Sequence, residues 1–188
     1  MNIAILASGS GTNAENIIRF FQEKNSNSQV NLVITNRRQA VVRERAARLS
    51  VPSLYFAKEE WERGDAVLAA LQEYGIDWII LAGFLLRVPE SILNAYSDKV
   101  INIHPALLPK YGGKGMYGDR VHEAVIAAGE KESGITIHYV NAQYDEGAII
   151  CQAKCPVLPE DTPHTLAQRI HLLEYAYFPK TIEEVITR

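Results

Sequence analysis

At positions 101–113 the chain reads INIHPALLPKYGG, with an Asn, a His two residues on and then a Pro closing an apolar run. Residues two apart in a strand share a face. Asn102 and His104 therefore point one way, and Ile101 and Ile103 the other. Pro105 cannot continue a central ladder, which places His104 at the strand's carboxyl edge. The pair suits acyl transfer: an amide can hold a developing oxyanion, and an imidazole of ordinary pKa near ~6.5 can move a proton around neutrality. The same spacing also fits a His tucked under a loop and bonded to backbone. A third group is needed to orient or charge-stabilise such a His. Asp145 in QYDEG is the candidate and Glu146 its rival, while ordinary turn chemistry accounts for Asp-Glu-Gly equally well.

A second motif lies near the amino end, where Gly9, Gly11 and Ala14 fit a loose G-x-G-x-x-A pattern between an apolar run and a helical one. Small residues there expose backbone N–H groups at a helix N-terminus, a favourable place for phosphate. A tight strand-to-helix turn that binds nothing gives the same pattern. A dinucleotide site also calls for an acidic residue near the end of the second strand. The stretch ITNRRQ has none, although Arg37 or Arg38 could meet a phosphorylated cofactor. Ser10, Thr12 and Asn13 add side-chain donors that fit a phosphate monoester at least as well.

These residues need a frame, and the periodicity supplies one. NIAILAS, QVNLVITN, VPSLYFA, DWIILAGF and KVINIH read as strands. AENIIRFFQEK, AVVRERAARLS, EEWERGDAVLAALQEYG and PESILNAYSDK read as the helices between them, the third as one helix ending at Gly75. Strands alternating with helices in this way predict right-handed crossovers and a parallel sheet, at whose carboxyl edge ligands bind. After Pro105, ALLPKYGGKGMYGDR reads as a long loop and VHEAVIAAGEK as a helix. SGITIHYVN and GAIICQAKCPV then form an antiparallel pair, and a last helix with a bend near Pro179 closes the chain. The expected fold is thus α/β, a Rossmann-like, open, mainly parallel twisted sheet with helices on both faces and late antiparallel segments.

The chain of 188 residues is long enough for one domain with a buried core. Hydrophobic residues make up 47% and charged residues 22%, as in ordinary globular proteins. The longest apolar run, DWIILAGFLL, is far short of the ~20 residues that span a bilayer, and MNIAILASGS has no basic leader, so no membrane role and a cytoplasmic location are expected. A net charge of −3 with scattered basic residues argues against sequence-independent nucleic-acid binding. Cys151 and Cys155, four apart in a strand, would sit roughly 13 Å from each other, too far for a disulfide.

Taken together, NIAILASGSGTN, ILAGF, INIHPALLPKYGG, GITIHYVN, YDEGAIICQAKCPV and RIHLLEYAYFP resemble the folate-dependent formyltransferases, and among them the phosphoribosylglycinamide formyltransferase family. HPALLP marks the wider family; the phosphate loop with LLEYAYFP makes the narrower match. The resemblance implies a single domain over 1–188, with a phosphate-binding lobe at 1–100 and a catalytic and folate-binding lobe at 101–188. It implies Asn102, His104 and Asp145 as the catalytic trio, and Gly11, Thr12 and Asn13 as the loop for the ribonucleotide phosphate. Glu174 matches the carboxylate that engages glycinamide ribonucleotide. Leu85, Leu86, Arg87 and Val88, with the backbone of Asn141, Ala142, Gln143, Tyr144 and Asp145, match the walls around the pterin-like ring of the formyl donor, 10-formyltetrahydrofolate. The partners implied are glycinamide ribonucleotide and folate, with no metal and either a monomer or a homodimer.

Three departures from the family pattern stand out. GGKGMYGDR is longer than usual. An Arg that often holds the phosphate has no clean counterpart, leaving Lys58 or Arg63, of which Lys58 is the choice. The chain stops at VITR, without the further strands of longer relatives. His138 is expected to be structural, His164 and His171 to lie on the surface or in packing, and the role of His122 is open. Competing readings are a formyltetrahydrofolate deformylase, which usually carries an amino-terminal regulatory domain, and an NADP-binding module, which leaves INIHPALLP and QYDEG unexplained.

Overall fold

The apolar runs pair into one mixed sheet. The computed structural model describes residues 1–24 and 26–188, and among these there are seven strands and seven helices. The strands are β1 (Asn2–Leu6), β2 (Gln29–Thr35), β3 (Ser53–Tyr55), β4 (Trp78–Leu81), β5 (Val100–His104), β6 (Glu132–Tyr139) and β7 (Ile149–Pro156). The helices are α1 (Thr12–Glu23), α2 (Val42–Arg48), α3 (Lys58–Arg63), α4 (Asp65–Glu73), α5 (Glu90–Ala95), α6 (Asp119–Ala127) and α7 (Pro163–Ile186). Sheet order is β3-β2-β1-β4-β5-β6-β7; the first five strands pair in parallel, and β6 and β7 are antiparallel additions.

Side-chain alternation divides the core between the two faces. Ile3, Ile5, Val33, Ile80, Ile101, Ile103, Ile135 and Ile137 face α1, α2, α6 and α7, whose Ile17, Val42, Val125 and Phe178 complete one cluster. Ala4, Leu6, Leu32, Ile34, Ile79, Leu81 and Val100 face α3, α4 and α5, with Trp61, Val67, Leu71 and Ile92 filling the other. Truncating a fully buried Ile such as Ile101 to Ala would cost about 2–5 kcal/mol.

The single helix expected over EEWERGDAVLAALQEYG is two. Gly64 breaks it with φ +80, its N–H closing α3 on the Glu60 carbonyl at 3.1 Å while its own carbonyl opens α4. A Cβ at that position would meet Ser91 Oγ at 2.5 Å, so the turn needs glycine. The last helix runs through Pro179, as expected. Proline has no N–H for the carbonyl four residues back, that of Tyr175. Asn16 Nδ2 on α1 donates to this carbonyl at 3.1 Å and satisfies it from a neighbouring helix.

Two features of the sheet position the site. Strand order reverses between β1 and β4, which opens a crevice at their carboxyl ends. The loops leaving these strands are tied together there: Ser8 N–H donates to the Gly83 carbonyl at 3.0 Å, and Leu85 N–H donates to Ser8 Oγ at 2.9 Å. Across β5 and β6, Asn102 pairs with His138 and His104 with Thr136, so four polar residues share a face. The loop after Pro105 covers that face. Leu108 N–H donates to Thr136 Oγ1 at 3.0 Å, the Thr136 hydroxyl donates to the Ala106 carbonyl at 2.7 Å, and Gln152 Nε2 donates to the Leu108 carbonyl at 3.0 Å.

Candidate active site

His104 ends β5 with 3% of its surface exposed. Its Nε2 lies 2.7 Å from the Tyr111 carbonyl. A carbonyl oxygen only accepts, so Nε2 carries a hydrogen and donates it. The other ring nitrogen, Nδ1, is 3.6 Å from Asp145 Oδ2. Burial pushes His104 below its ordinary pKa, with the Asp145 charge and the Tyr111 carbonyl pulling the other way.

Asp145 occupies the connection between β6 and β7 with φ +55, the left-handed region that Asp tolerates better than most residues. Its Oδ2 accepts from Gly113 N–H at 2.9 Å, and its Oδ1 lies 3.6 Å from His138 Nε2. Burial pushes its carboxyl up, but the His138 and His104 rings and the Gly113 N–H outweigh this and hold it below the usual carboxylate value. Its sequence rival, Glu146, is exposed.

Asn102 and His138 meet across the strand pair. His138 Nδ1 lies 2.9 Å from the Tyr139 carbonyl and so bears a hydrogen there; in the neutral ring Nε2 accepts from Asn102 Nδ2 at 3.1 Å, and in the charged ring its hydrogen faces Asp145. One amide hydrogen of Asn102 is thereby fixed, and the second is oriented with it. Asn102, His104, Asp145 and His138 thus converge on one point. The sequence expectation for His138 in ITIHYV is a structural role; its cross-strand register with Asn102 brings it beside that residue.

The glycine loop leaves the carboxyl end of β1, where strand order reverses. Gly11 has φ +75, and a Cβ there would meet Val42 Cγ2 at 2.3 Å. The sharp turn directs the N-terminus of α1, with Thr12 and Asn13, towards the crevice. Asn13 Nδ2 donates to Glu174 Oε2 at 2.9 Å, across 161 residues of sequence, and His171 Nδ1 donates to the same oxygen at 2.8 Å. That contact raises the pKa of His171. The Asn13–Glu174 contact thus ties the loop after β1 to α7. His122 on α6 is 3% exposed with its Nδ1 unpartnered, and burial lowers its pKa.

Among the described residues Lys58 makes no hydrogen bond to the loop. It is exposed at the start of α3, 3.6 Å from Glu62. The basic residue that touches the loop is Arg45, whose Nε donates to the Ser10 carbonyl at 2.8 Å and whose guanidinium also pairs with Glu15. Its position in an amphipathic helix gave no sign of this contact.

Leu85, Leu86, Arg87 and Val88 follow β4 along the crevice. Val88 is buried and Leu85 exposed; the Arg87 carbonyl accepts from Trp61 Nε1 at 2.8 Å. The Arg87 guanidinium reaches the Ala142 carbonyl, which joins this segment to the second one, Asn141 to Asp145. There Asn141 Oδ1 accepts from Gln143 N–H at 2.9 Å and shapes the turn that presents Asp145, with Tyr144 exposed beside it.

An amide donor, a buried imidazole and a carboxylate at the carboxyl edge of an α/β sheet, with a glycine turn opening α1, are the arrangement of a group-transfer site of the acyl type. The sequence profile of the formyl transferase family matches residues 1–182, and the chain belongs to that family. A phosphoribosylglycinamide formyltransferase of Bacillus subtilis is 36% identical over 187 residues, covering 97% of this chain and 93% of the relative. The chloroplastic phosphoribosylglycinamide formyltransferase of Arabidopsis thaliana is 37% identical over 185 residues, covering 96% of this chain. This chain spans 63% of the length of that plant protein. The crystal structure of phosphoribosylglycinamide formyltransferase from Bacillus halodurans superimposes with a TM-score of 0.90 at 36% identity, covering all of this chain and 96% of that one.

Proposed function

We propose that this chain transfers the formyl group of 10-formyltetrahydrofolate to the amine of glycinamide ribonucleotide, giving formylglycinamide ribonucleotide and tetrahydrofolate in purine biosynthesis. The observation that carries the reading is the linked set at the end of β5, His104 beside Asp145 and Asp145 joined through His138 to Asn102. Residues 1–188 act as one domain in the cytoplasm, with 1–100 holding the phosphate and 101–188 carrying catalysis and the folate.

The N-terminal amides of α1, with Gly11, Thr12 and Asn13, receive the phosphate. Arg45 braces that loop through the Ser10 carbonyl, a more direct part than Lys58 has from its place beside Glu62. Glu174, already oriented by Asn13 and His171, engages the rest of the ribonucleotide. Leu85 to Val88 and Asn141 to Asp145 seat the folate ring. When bound, the folate supplies the one-carbon unit as an activated amide carbonyl.

As the substrate amine adds to that carbonyl, Asn102 donates its free amide hydrogen to the oxygen where negative charge develops. His104 Nε2 is committed to Tyr111, so proton movement is left to Nδ1, on the side of Asp145. Asp145 stabilises the imidazolium as it forms and holds the ring's orientation; when the adduct collapses, the bond from the formyl carbon to the folate nitrogen breaks and the proton taken from the amine passes to that nitrogen, releasing tetrahydrofolate.

The test is the dependence of turnover on the amine. Purified protein should release tetrahydrofolate from 10-formyltetrahydrofolate only when glycinamide ribonucleotide is supplied. Equal release without it would replace transfer by hydrolysis to formate.

A further inference from the structure

We propose that Tyr111 and Glu130 are positioning residues for the catalytic pair, forming a phenol–carboxylate latch that fixes the backbone on which His104 and Asp145 are both held. The kinetic consequences rest on the formyl-transfer reading; the geometry does not.

The segment 111–113 has two tasks in the site. The Tyr111 carbonyl accepts from His104 Nε2 at 2.7 Å, and two residues on, Gly113 N–H donates to Asp145 Oδ2 at 2.9 Å. Any shift of this short stretch alters the relation between His104 Nδ1 and Asp145 Oδ2, now 3.6 Å apart. Yet the stretch belongs to a loop, and Tyr111 sits at φ +56, a conformation unfavourable for a bulky L-residue. Something outside the site must hold it there.

The Tyr111 side chain provides the anchor. Its ring packs against the core on the helix face shared by α1, α6 and α7. Its hydroxyl donates to Glu130 Oε1 at 2.9 Å, and Lys110 Nζ donates to the same oxygen at 2.9 Å. Glu130 stands in the tight connection from α6 to β6, part of the rigid frame. The Lys110 head is 67% exposed and its ion pair is weak by itself. The phenol–carboxylate bond is charge-assisted and better shielded, with the Glu130 side chain 24% exposed, and it carries the latch. Neither residue reaches the reacting atoms; each acts through the Tyr111 carbonyl.

The experiment compares Tyr111→Phe, Glu130→Ala and the double variant with wild type. Each single change should lower kcat about tenfold while KM for both substrates stays within about twofold and thermal stability stays close to wild type. The double variant should be no slower than the worse single, because one latch is broken in all three. Glu130→Gln, which keeps an acceptor, should recover part of the rate. A readout independent of turnover is the His104 Nε2–H resonance in NMR, protected from exchange in wild type and exchanging faster in Tyr111→Phe. Wild-type kcat in both single variants, or multiplicative losses in the double, overturns the latch. If wild type fails to formylate glycinamide ribonucleotide, the functional reading falls, and unchanged Nε2–H protection in Tyr111→Phe still overturns the latch separately.

Discussion

The Asn102 amide and the His138 ring meet at 3.1 Å across the β5–β6 pairing, with the His138 hydrogen already given to the Tyr139 carbonyl at 2.9 Å. The imidazole therefore sets which way the Asn102 amide points. In His138→Ala the amide loses its acceptor and turns freely, while binding surfaces for both substrates remain. Steady-state kinetics should give a kcat lower by roughly 10- to 100-fold, with KM changed little. An unchanged kcat would remove His138 from the site.

Replacing the polar groups themselves should be costlier. Asn102→Ala and Asp145→Asn are expected to reduce kcat by about 100- to 1000-fold, the range for losing one preorganised donor or charge at a developing oxyanion. Thermal unfolding should move by only a few degrees, since neither residue belongs to the apolar clusters. Near-normal turnover in either variant would contradict the division of roles.

The titration of His104 has a definite sign. Burial lowers its native pKa below 6.5, and the Asp145 charge counters that. Asp145→Asn should therefore lower the His104 pKa further, as read from its ring resonances against pH. In wild type the unfolded chain takes up this proton first on acidification. The His104 contribution to stability is thus fully present above the unfolded pKa of about 6.5 and declines as pH falls through the lowered native value. A rise of the His104 pKa in Asp145→Asn would contradict the assignment of the carboxylate as its partner.

Much of this was legible from period and punctuation. Alternation in KVINIH put Asn102 and His104 on one face, and Pro105 put them at the strand end, as observed. The choice between Asp145 and Glu146 was not legible, because both are ordinary turn residues. Backbone geometry decides it: φ +55 at Asp145 turns its carboxylate onto Gly113 N–H. Contacts made by folding were equally hidden. Asn13 and Glu174 are 161 residues apart, and the tyrosine that holds His104 does so with a carbonyl, which no residue type announces. The apolar spacing of EEWERGDAVLAALQEYG continues across Gly64, so periodicity alone does not reveal the break that its left-handed φ makes.

The phosphate loop yields a test of geometry rather than chemistry. Gly11→Ala must accept φ +75 and move Val42 Cγ2, which would sit 2.3 Å from the new methyl. Denaturant unfolding should show a loss of about 1–3 kcal/mol, the usual cost of a residue held in this region. KM for glycinamide ribonucleotide should rise more than KM for the folate, because the displaced N-terminus of α1 serves the phosphate. Equal effects on the two would place the phosphate elsewhere.

The most direct measurement follows the transferred carbon. With 10-formyltetrahydrofolate labelled with carbon-13 at the formyl group, and glycinamide ribonucleotide present, NMR should show the label arriving as a formamide on the substrate amine. It should arrive at the rate at which tetrahydrofolate appears, and slow by the same factor in Asn102→Ala. Label accumulating as free formate, at a rate indifferent to the amine, would contradict formyl transfer by Asn102, His104 and Asp145.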